Sequence, residues 1–417
     1  MKICMIIHFY YPYESGGGGA GVAFRKIAEA LKKSGHDVFV IATGPYKNLK
    51  SLSPSIRIEN GIRVYYFYPI QPNIPPYTKK ISNFSRIFTF LLNFWNPHTY
   101  FVVKKILKKE KPDVVNIHET LYLSLAVYSA AKSLNLPVVS TIHSVIYLFP
   151  FMNLPYLDKI AGVRPPFVNY KIYEIISNIY AKINRFVIGS PKHVAFVSNA
   201  VMDIYSSYEF FKRSKKTVFP NIFEIDEIEL KKEKINKETF DILYTGRLTR
   251  NKGAHTLIKA VGKIHDGHIR LHLFGNANAE DNLYFKKLAE ADKRIIFYGQ
   301  VPNKELLEFY KIADVTVIPS IYFETFGRVI IESFNEGVPV IGSKVAAIPE
   351  IIQEGYNGFL FEPGNVQQLK EILEYAILNR DKLKEMRENC INTAKKYSVE
   401  NNIYKLEEIY KEAIKFH

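Results

Sequence analysis

Cysteine and tryptophan are both scarce in this chain. Only Cys4 and Cys390 occur among its 417 residues, and both lie in apolar or helical stretches. Two distant cysteines exclude a disulfide framework and a cysteine-based zinc site, and they favour a reducing compartment. No apolar run approaches the ~20 residues that cross a bilayer. Residues 1–8 have the pattern of a first buried strand rather than of a signal peptide, so we expect a cytoplasmic protein.

Acidic residues are in the minority. The chain has 41 Asp and Glu against 56 Lys and Arg, which gives a formal net charge of +15. Such an excess favours an anionic partner, whether a nucleotide, a phospholipid surface or a nucleic acid. The Asp-x-Asp spacing typical of a metal-binding site does not occur. The acidic pairs Asp226-Glu227 and Glu280-Asp281 lie in polar stretches. We therefore expect no metal and no other cofactor.

Acids are missing altogether between Asn60 and Lys109, where basic and aromatic residues alternate instead. Apolar residues such as Phe84, Phe88 and Trp95 recur there at helical spacing, and an aromatic and basic helix of this kind can lie on an anionic membrane. The expected membrane or acceptor contacts are Lys79, Lys80, Arg86, Trp95, Lys104 and Lys105. A second aromatic and basic stretch spans 147–185. The alternative is a core helix whose lysines extend to solvent.

Strand and helix patterns alternate along the whole chain, which predicts an α/β fold with parallel sheets covered on both faces. One series runs from Lys2 to about residue 220, and a second begins at Phe240 after a polar linker. We predict two doubly wound Rossmann-like domains, 1–220 and 221–398, with a terminal helix at about 399–417 crossing back to the first. Ligands of such sheets bind beyond the carboxyl ends of the strands, so a cleft between the domains is the expected site.

The most informative segment is Glu324-Thr-Phe-Gly-Arg-Val-Ile-Ile-Glu332, which follows the strand pattern of 314–318. It predicts a loop and then a helix that opens near Thr325. A helix N-terminus favours an anion. Carboxylates beside a bound anion can accept hydrogen bonds from hydroxyl groups on either side of it. A sugar joined to a nucleoside by a diphosphate has this arrangement, with hydroxyls on both sides of the phosphates. The alternative is a capped helix with one exposed and one buried glutamate.

Three further loops follow predicted strands. Gly246-Arg247 through Lys252-Gly253 places two cations on one loop, as in a phosphate clamp, or else forms a solvated basic loop. The run Gly16, Gly17, Gly18 and Gly19 opens the first helix and allows close approach of a ligand, although it does not match the dinucleotide-binding fingerprint. His118 and His143 end two strands of the first domain, where a lone histidine is often structural.

Taken together, these motifs resemble those of family 4 (group 1) retaining glycosyltransferases, which have the two-domain GT-B fold. The resemblance is strongest from Asp241 to Pro363. The matching motifs are Gly246-Arg247-Leu248, Lys252-Gly253, Phe274-Gly275, Phe297-Tyr-Gly299, Pro319-Ser320, Glu324-Thr-Phe-Gly, Glu332, Gly337-Val-Pro-Val340, Pro349-Glu350 and Asn357-Gly358. Two loops depart from the family pattern, at Gly275-Asn-Ala and Val345-Ala-Ala-Ile-Pro349, which leaves the donor sugar open.

The resemblance implies roles for the matched residues. Arg247 and Lys252 would hold the donor diphosphate, Glu324 the hydroxyls of the transferred sugar and Glu332 those of the ribose. Gly246 belongs to the diphosphate loop, and the residues after Gly299 would face the base. Backbone N–H groups around Phe326, Gly327 and Arg328 would contact sugar or phosphate. His118 would lie near the reacting sugar, and the glycine run near phosphate and acceptor. These positions form the expected catalytic and donor-binding set.

The implied reaction is metal-independent glycosyl transfer from a nucleotide sugar to a glycan or lipid-linked acceptor on the inner face of the membrane, as in polysaccharide or glycolipid assembly. No nucleic acid partner is expected. Two alternatives stay open. A nucleotide-sugar epimerase of the same architecture would need an acid/base pair around the sugar. A non-enzymatic basic binder of membrane or nucleic acid would not need Arg247, Lys252, Glu324 and Glu332 together.

Overall fold

The computed structural model describes residues 1–10, 18–72, 74, 83–149, 170–225, 238–289 and 292–415, without the side chains of 83–87 and 170–173. The chain divides into two compact units. The first reaches Phe223 and resumes at Val399, and the second runs from Glu224 to Ser398. The backbone N–H of Val399 donates to the carbonyl of Phe223 at 2.9 Å, so the chain leaves and re-enters the first unit at one place.

The sheet of the first unit has the strand order β3-β4-β2-β1-β5-β6-β7-β8. Its strands are β1 Lys2–Ile6, β2 Asp37–Thr43, β3 Ser55–Glu59, β4 Ile62–Phe67, β5 Val114–Ile117, β6 Val138–Ile142, β7 His193–Phe196 and β8 Lys215–Val218. Its helices are α1 Gly18–Lys33, α2 Asn83–Phe94, α3 Pro97–Glu110, α4 Ala126–Ser133, α5 Tyr170–Ile188, α6 Asn199–Ser207 and α14 Val399–Lys415. The central strands are buried along almost their whole length, as expected of parallel strands covered by helices.

One edge of this sheet differs from the sequence prediction. Strand β3 pairs antiparallel with β4, although an all-parallel sheet was expected and β3 itself was not. Asn60 and Gly61 join the two strands with φ of 51° and 74°. Two successive positive φ values match the right-handed twist of a tight hairpin, and Asn-Gly is the favoured pair there.

Helix α14 belongs to the first unit, although it follows the second unit in the chain. Helix α14 packs on α1 and on strands β5 and β6. Its Leu406, Ile409 and Tyr410 belong to the same buried core as residues of α1 and β1. The Tyr410 hydroxyl accepts a hydrogen bond from Nδ2 of Asn116 at 2.5 Å. The helix therefore supplies part of the core and satisfies a buried amide of the sheet.

The second unit has a parallel sheet in the order β11-β10-β9-β12-β13-β14. Its strands are β9 Phe240–Thr245, β10 Ile269–Phe274, β11 Ile295–Gly299, β12 Val315–Ile318, β13 Val340–Ser343 and β14 Gly358–Phe361. Its helices are α7 Ala254–Gly262, α8 Ala279–Leu288, α9 Asn303–Ile312, α10 Arg328–Asn335, α11 Ile348–Ile351, α12 Val366–Leu378 and α13 Arg380–Lys395. None of the helices in the described ranges is long and apolar enough to cross a membrane.

Candidate active site

Three predicted donor residues of the second unit, Arg247, Lys252 and Glu324, lie around one point of its sheet. Strands β9 and β12 are neighbours at the centre of the sheet, and the strand order reverses between them. The loop after β9 carries Arg247 and Lys252, and the loop after β12 carries Glu324. Both loops leave the carboxyl ends of parallel strands, so they emerge at the same edge. Such a switch point is where open α/β sheets bind ligands.

The two loops touch each other through a glycine. Gly253 has φ of 73°, and a Cβ atom built on it would lie 1.7 Å from the carbonyl oxygen of Pro319. The backbone N–H of Ile321 donates to the carbonyl of Asn251 at 3.0 Å, which joins the same loops a second time. A side chain at position 253 would force them apart. The separation of Lys252 from Glu324 therefore depends on this glycine.

Lys252 and Glu324 form an ion pair across these loops. The Lys252 ammonium and the Ser320 hydroxyl both donate to Oε1 of Glu324, the hydroxyl at 2.8 Å. The side chains of Lys252 and Glu324 are 23% and 15% exposed. Burial opposes ionisation of the Glu324 carboxyl, but Lys252, Ser320 and the charge of Arg247 together hold its pKa below the usual range. Glu324 is therefore a carboxylate acceptor at neutral pH, with Oε2 left for another donor.

Arg247 stands beside this pair as an available cation. Its side chain is exposed, and no described residue forms a hydrogen bond or ion pair with its guanidinium. The Tyr244 hydroxyl donates to the carbonyl of Arg247 at 2.8 Å, and this bond stabilises the conformation of the loop. Gly246 and Gly275 pack together, and a Cβ on Gly275 would lie 1.8 Å from the carbonyl oxygen of Gly246. An anion placed here would pair with Arg247 directly. It would pair with Lys252 by replacing Glu324 as the partner of the ammonium group.

Helix α10 begins at Arg328, later than the predicted start near Thr325. Gly327 occupies its N-cap with φ of 86° and offers no side-chain oxygen, so the first turn has no side-chain cap. Glu332 therefore lies just beyond the first turn of the helix. Arg328 donates to Oε1 of Glu332 at 3.3 Å. Phe326 is buried, with its ring edge against Tyr397.

The loop that departs from the family pattern bonds directly to Glu324. The backbone N–H of Ala347 donates to the carbonyl of Glu324 at 3.0 Å. Ala346, next to it, has φ of 47°, in the left-handed region that favours glycine. At the edge strand of the sheet, Gly299 ends β11 with φ of 72°, and its carbonyl accepts from the N–H of Gly275 at 2.7 Å.

In the first unit, His118, Gly18 and Gly19 also flank a switch point, between β1 and β5. Gly18 and Gly19 open helix α1, while Gly16 and Gly17 lie outside the described residues. His118 directly follows β5 and is fully buried, with the edge of Phe24 against its ring at 4.6 Å between centroids. The location is the predicted one, although the degree of burial was not expected.

His118 belongs to a hydrogen-bonded chain of three buried side chains. Its Nδ1 lies 2.8 Å from Nε2 of His143, whose Nδ1 lies 3.2 Å from Oδ1 of Asn221. An amide oxygen can only accept, so His143 carries its proton on Nδ1 and accepts from Nδ1–H of His118. Nε2 of His118 is then a buried acceptor, and it has no partner among the described residues. His143 was a candidate from sequence, whereas no sequence signal marks Asn221.

Burial favours the neutral form of both histidines in the folded protein. Burial lowers the pKa of His118 well below its ordinary value of 6.5, and the neighbouring His143 lowers it further. Burial also lowers the pKa of His143, against opposing effects of Glu119 and Asn221. A histidine with a depressed folded-state pKa stabilises the fold above its unfolded pKa, and this contribution is lost as the pH falls.

We therefore expect the free energy of unfolding to drop as the pH falls below 6.5, the ordinary histidine value. Replacing His118 by Gln should flatten this slope by up to about 1.4 kcal/mol per pH unit, the value for one proton. Urea unfolding at several pH values measures the slope. His265→Gln, at an exposed position, is the control. A His118→Gln slope equal to that of the control would contradict the neutral buried state.

The predicted membrane residues are only partly described. Lys79 and Lys80 lie outside the described residues, and of Arg86 only its place in α2 is described. Trp95 follows α2 directly and is 43% exposed. Lys104 and Lys105 lie on α3, where the Lys104 ammonium is 5.3 Å from the centroid of the Tyr100 ring. Across the described ranges, no three His, Cys, Asp or Glu side chains are grouped as a metal site would require.

Two family descriptions together span most of the chain. Residues 225–397 match Glycosyl transferases group 1, and residues 17–227, about half of the chain, match Glycosyltransferase Family 4. An uncharacterized glycosyltransferase of Methanocaldococcus jannaschii is 26% identical over 447 residues, covering 97% of this chain and 98% of the relative.

Solved structures share the fold at low identity. Sucrose-phosphate synthase from Thermosynechococcus elongatus superposes with a TM-score of 0.73 at 17% identity, covering 100% of both chains. Anabaena HepE in complex with UDP superposes with a TM-score of 0.71 at 20% identity, covering 99% of this chain and 100% of the other. The predicted fold class, Rossmann-like α/β domains of the GT-B type, is confirmed.

Proposed function

Because the chain belongs to glycosyltransferase family 4, we propose that it moves a sugar from a nucleoside diphosphate to a glycan or lipid-linked acceptor, with retention of anomeric configuration. One observation carries this proposal. Lys252, Glu324 and Ser320 are bonded together at the switch point of the second unit, with the exposed Arg247 beside them. Two cations and a fixed carboxylate suit a diphosphate next to a sugar hydroxyl.

The donor's leaving group determines what the cations do. When the bond from the anomeric carbon to the diphosphate oxygen breaks, negative charge grows on the diphosphate. Arg247 and Lys252 stabilise that charge, and preorganised cations are most effective where charge develops in the transition state. They supply the positive charge that the leaving group requires, so we propose transfer without a metal ion.

Glu324 acts as an acceptor for sugar hydroxyls rather than as a nucleophile. Lys252 and Ser320 already occupy its Oε1, and these bonds fix the carboxylate in one orientation. The acceptor hydroxyl would attack from the side that the diphosphate leaves, and a diphosphate oxygen would take its proton. The new bond then forms on the face where the old one broke, which retains the configuration. By the resemblance, His118 would lie near the transferred sugar, where its Nε2 would accept from a hydroxyl.

The acceptor half of the proposal rests on charge and exposed aromatic surface. The segment from Asn60 to Lys109 has no acid, and Trp95 of this segment is exposed. These features support a lipid-linked acceptor and a peripheral position on the inner face of the membrane. UDP is bound by Anabaena HepE. We therefore propose UDP-sugars as the first donors to test.

The test is nucleoside diphosphate release from a panel of UDP-, GDP- and ADP-sugars in the presence of membrane lipids, followed by NMR of the product. We expect release with at least one donor and a glycoside that keeps the anomeric configuration of that donor. An inverted product would contradict retention. A free epimerised nucleotide sugar without any glycoside would favour the epimerase. Full loss of release in a chelator would contradict metal independence.

Glu332→Gln is expected to raise the KM for the active donor roughly 10-fold, with kcat little changed. A charged hydrogen bond to a ribose hydroxyl contributes about 1.5–3 kcal/mol. When a contact of equal strength in the ground state and the transition state is lost, KM rises and kcat stays the same. Steady-state kinetics measure the split. Glu336→Gln, at the C-terminal end of the same helix, is the matched control. An unchanged KM for Glu332→Gln would remove Glu332 from the donor site.

A further inference from the structure

Helices α2 and α5 pack side by side through aromatic rings. Tyr180 of α5 stacks with Phe90 of α2 at 5.5 Å between centroids, and its ring also contacts Phe94. This packing covers one face of each helix. Other large apolar side chains of this region remain exposed: Phe88 and Leu91 on α2, Trp95 directly after it, and Ile175, Ile176, Ile179, Ile183 and Phe186 on α5.

The exposed apolar residues of α5 form a stripe. Ile175, Ile179, Ile183 and Phe186 recur every three or four residues, so they share one side of the helix. Ile175 and Ile179 are more than half exposed, and Phe186 is 88% exposed. Single exposed apolar residues are common, but a contiguous row marks a binding surface. The only acid in the sequence of α5 is Glu174, and α2 has none.

A basic cavity of about 620 Å³ lies at the C-terminal end of this stripe. Four cations line it, Arg185, Lys192, Lys212 and Arg213, together with Glu209. Arg185 and Lys212 both donate to the Glu209 carboxylate, at 2.7 and 2.6 Å.

The other two cations of the cavity are available to a ligand. The Lys192 ammonium and the Arg213 guanidinium are exposed and have no hydrogen-bond or ion-pair partner among the described residues. One acid therefore faces four cations, and two of those cations are unused. Positive charge in a concave surface attracts a phosphate group.

The cavity and His118 lie at opposite ends of the strands of the first sheet. Gly189, Ser190, Pro191 and Lys192 of its lining come just before β7, at the amino ends of the parallel strands. His118 follows β5 at the opposite edge of the same sheet. The cavity instead adjoins the stripe, because Arg185 of its lining is the neighbour of Phe186. A ligand with both a phosphate and apolar chains would fit the two surfaces together.

We propose that the cavity binds the phosphate of an anionic phospholipid headgroup while the outward faces of α2 and α5 enter the bilayer interface. This inference rests on the proposed peripheral membrane position and names its partner. An amphipathic helix with basic flanks binds at this depth, by apolar burial and by attraction to anionic lipids. Lys192 and Arg213 recognise the headgroup, and the stripe supplies the apolar contact.

The experiment uses the full chain and two vesicle types, phosphatidylcholine alone and an equimolar mixture with phosphatidylglycerol. Flotation measures binding, and the fluorescence of Trp95, the only tryptophan, reports entry of the adjoining surface into the bilayer. The cavity variant is Lys192→Ala/Arg213→Ala. Its control, Lys263→Ala/Lys293→Ala, removes the same charge from exposed positions of the second unit. Ile179→Ser/Phe186→Ser tests the stripe, and thermal melting checks that each variant is folded.

We expect wild type to float with the anionic vesicles and the emission of Trp95 to shift to shorter wavelength. The cavity variant should bind these vesicles roughly 30-fold more weakly at low salt, since each cation near an anionic surface contributes about 1 kcal/mol. The control pair should bind almost like wild type, and the stripe variant should lose the emission shift.

Three outcomes would overturn the proposal at different levels. Equal losses in the cavity and control variants would show that overall charge, not the cavity, recognises the lipid. If inorganic phosphate in solution abolishes vesicle binding, and that binding does not depend on vesicle charge, the cavity is a phosphate site alone. If wild type stays unbound with both vesicle types, the membrane position itself is wrong. Donor turnover in the nucleotide-sugar panel tests glycosyl transfer separately from all three.

Discussion

Replacing Lys252 by Ala is expected to lower kcat/KM for transfer roughly 100- to 1,000-fold. This range is typical when an enzyme loses one preorganised group that stabilises charge in the transition state. Lys252 has two tasks at the switch point, because it contacts Glu324 and faces the proposed diphosphate position. Its loss would leave the leaving group short of one cation and the partly buried Glu324 carboxylate short of its partner.

The matched control is Lys259→Ala, which removes an exposed lysine from the helix after the Lys252 loop. Initial rates with the active donor, at saturating acceptor, measure both variants. A Lys252→Ala enzyme as active as the control would exclude Lys252 from the chemistry.

A double-mutant cycle with Glu324→Gln adds a sharper test. Residues that act as a unit give strongly non-additive effects, so the double variant should be only slightly less active than the worse single variant. Fully additive losses would mean that the ion pair of the ligand-free protein does not persist with the donor bound.

The largest expected effect on stability belongs to Gly253. We expect Gly253→Ala to lower the free energy of unfolding by about 3–5 kcal/mol, the range of severe backbone and packing defects. The added Cβ would lie 1.7 Å from the Pro319 carbonyl oxygen, and φ of 73° already disfavours a side chain. Urea unfolding followed by far-ultraviolet circular dichroism measures the change in midpoint.

Gly262→Ala is the control for Gly253→Ala. A Cβ at Gly262 meets nothing within 4 Å, and this glycine ends helix α7 without a positive φ. We expect it to stay within about 1 kcal/mol of wild type or to stabilise slightly, because alanine loses less backbone entropy than glycine. If Gly253→Ala unfolds at the same urea concentration as this control, the close contact between the two loops is wrong.

The sequence predicted strands at residues 1–8, from Phe240 and at 314–318, and the structure has β1, β9 and β12 there. Buried parallel strands are continuous apolar runs, and β1, β9 and β12 are clear examples. The edge strand β3 was missed because its residues are mostly exposed and lack that pattern. Helix α10 begins later than predicted because Gly327, in a left-handed conformation, ends the loop before it. Local apolar spacing cannot show such a backbone turn.

The candidate site was predicted as a set of residue types, but its bonds were not. Lys252 and Glu324 are 72 residues apart, and their ion pair exists only because β9 and β12 are neighbours. The bond from His143 to Asn221 likewise spans 78 residues. Asn221 carries no motif, and only the fold brings its amide to the histidine. Pairings across a sheet depend on strand order, which apolar spacing alone does not determine.

The return of α14 to the first unit has a consequence during synthesis on the ribosome. The second unit lies between Phe223 and Val399, so its chain is complete before α14 emerges. The first unit begins earlier but must wait for Leu406, Ile409 and Tyr410 to close its core. Until then, the apolar surface of α1 and the amide of Asn116 lack these partners. The unit translated first is therefore the unit that finishes folding last, and this nascent surface is where a chaperone would bind.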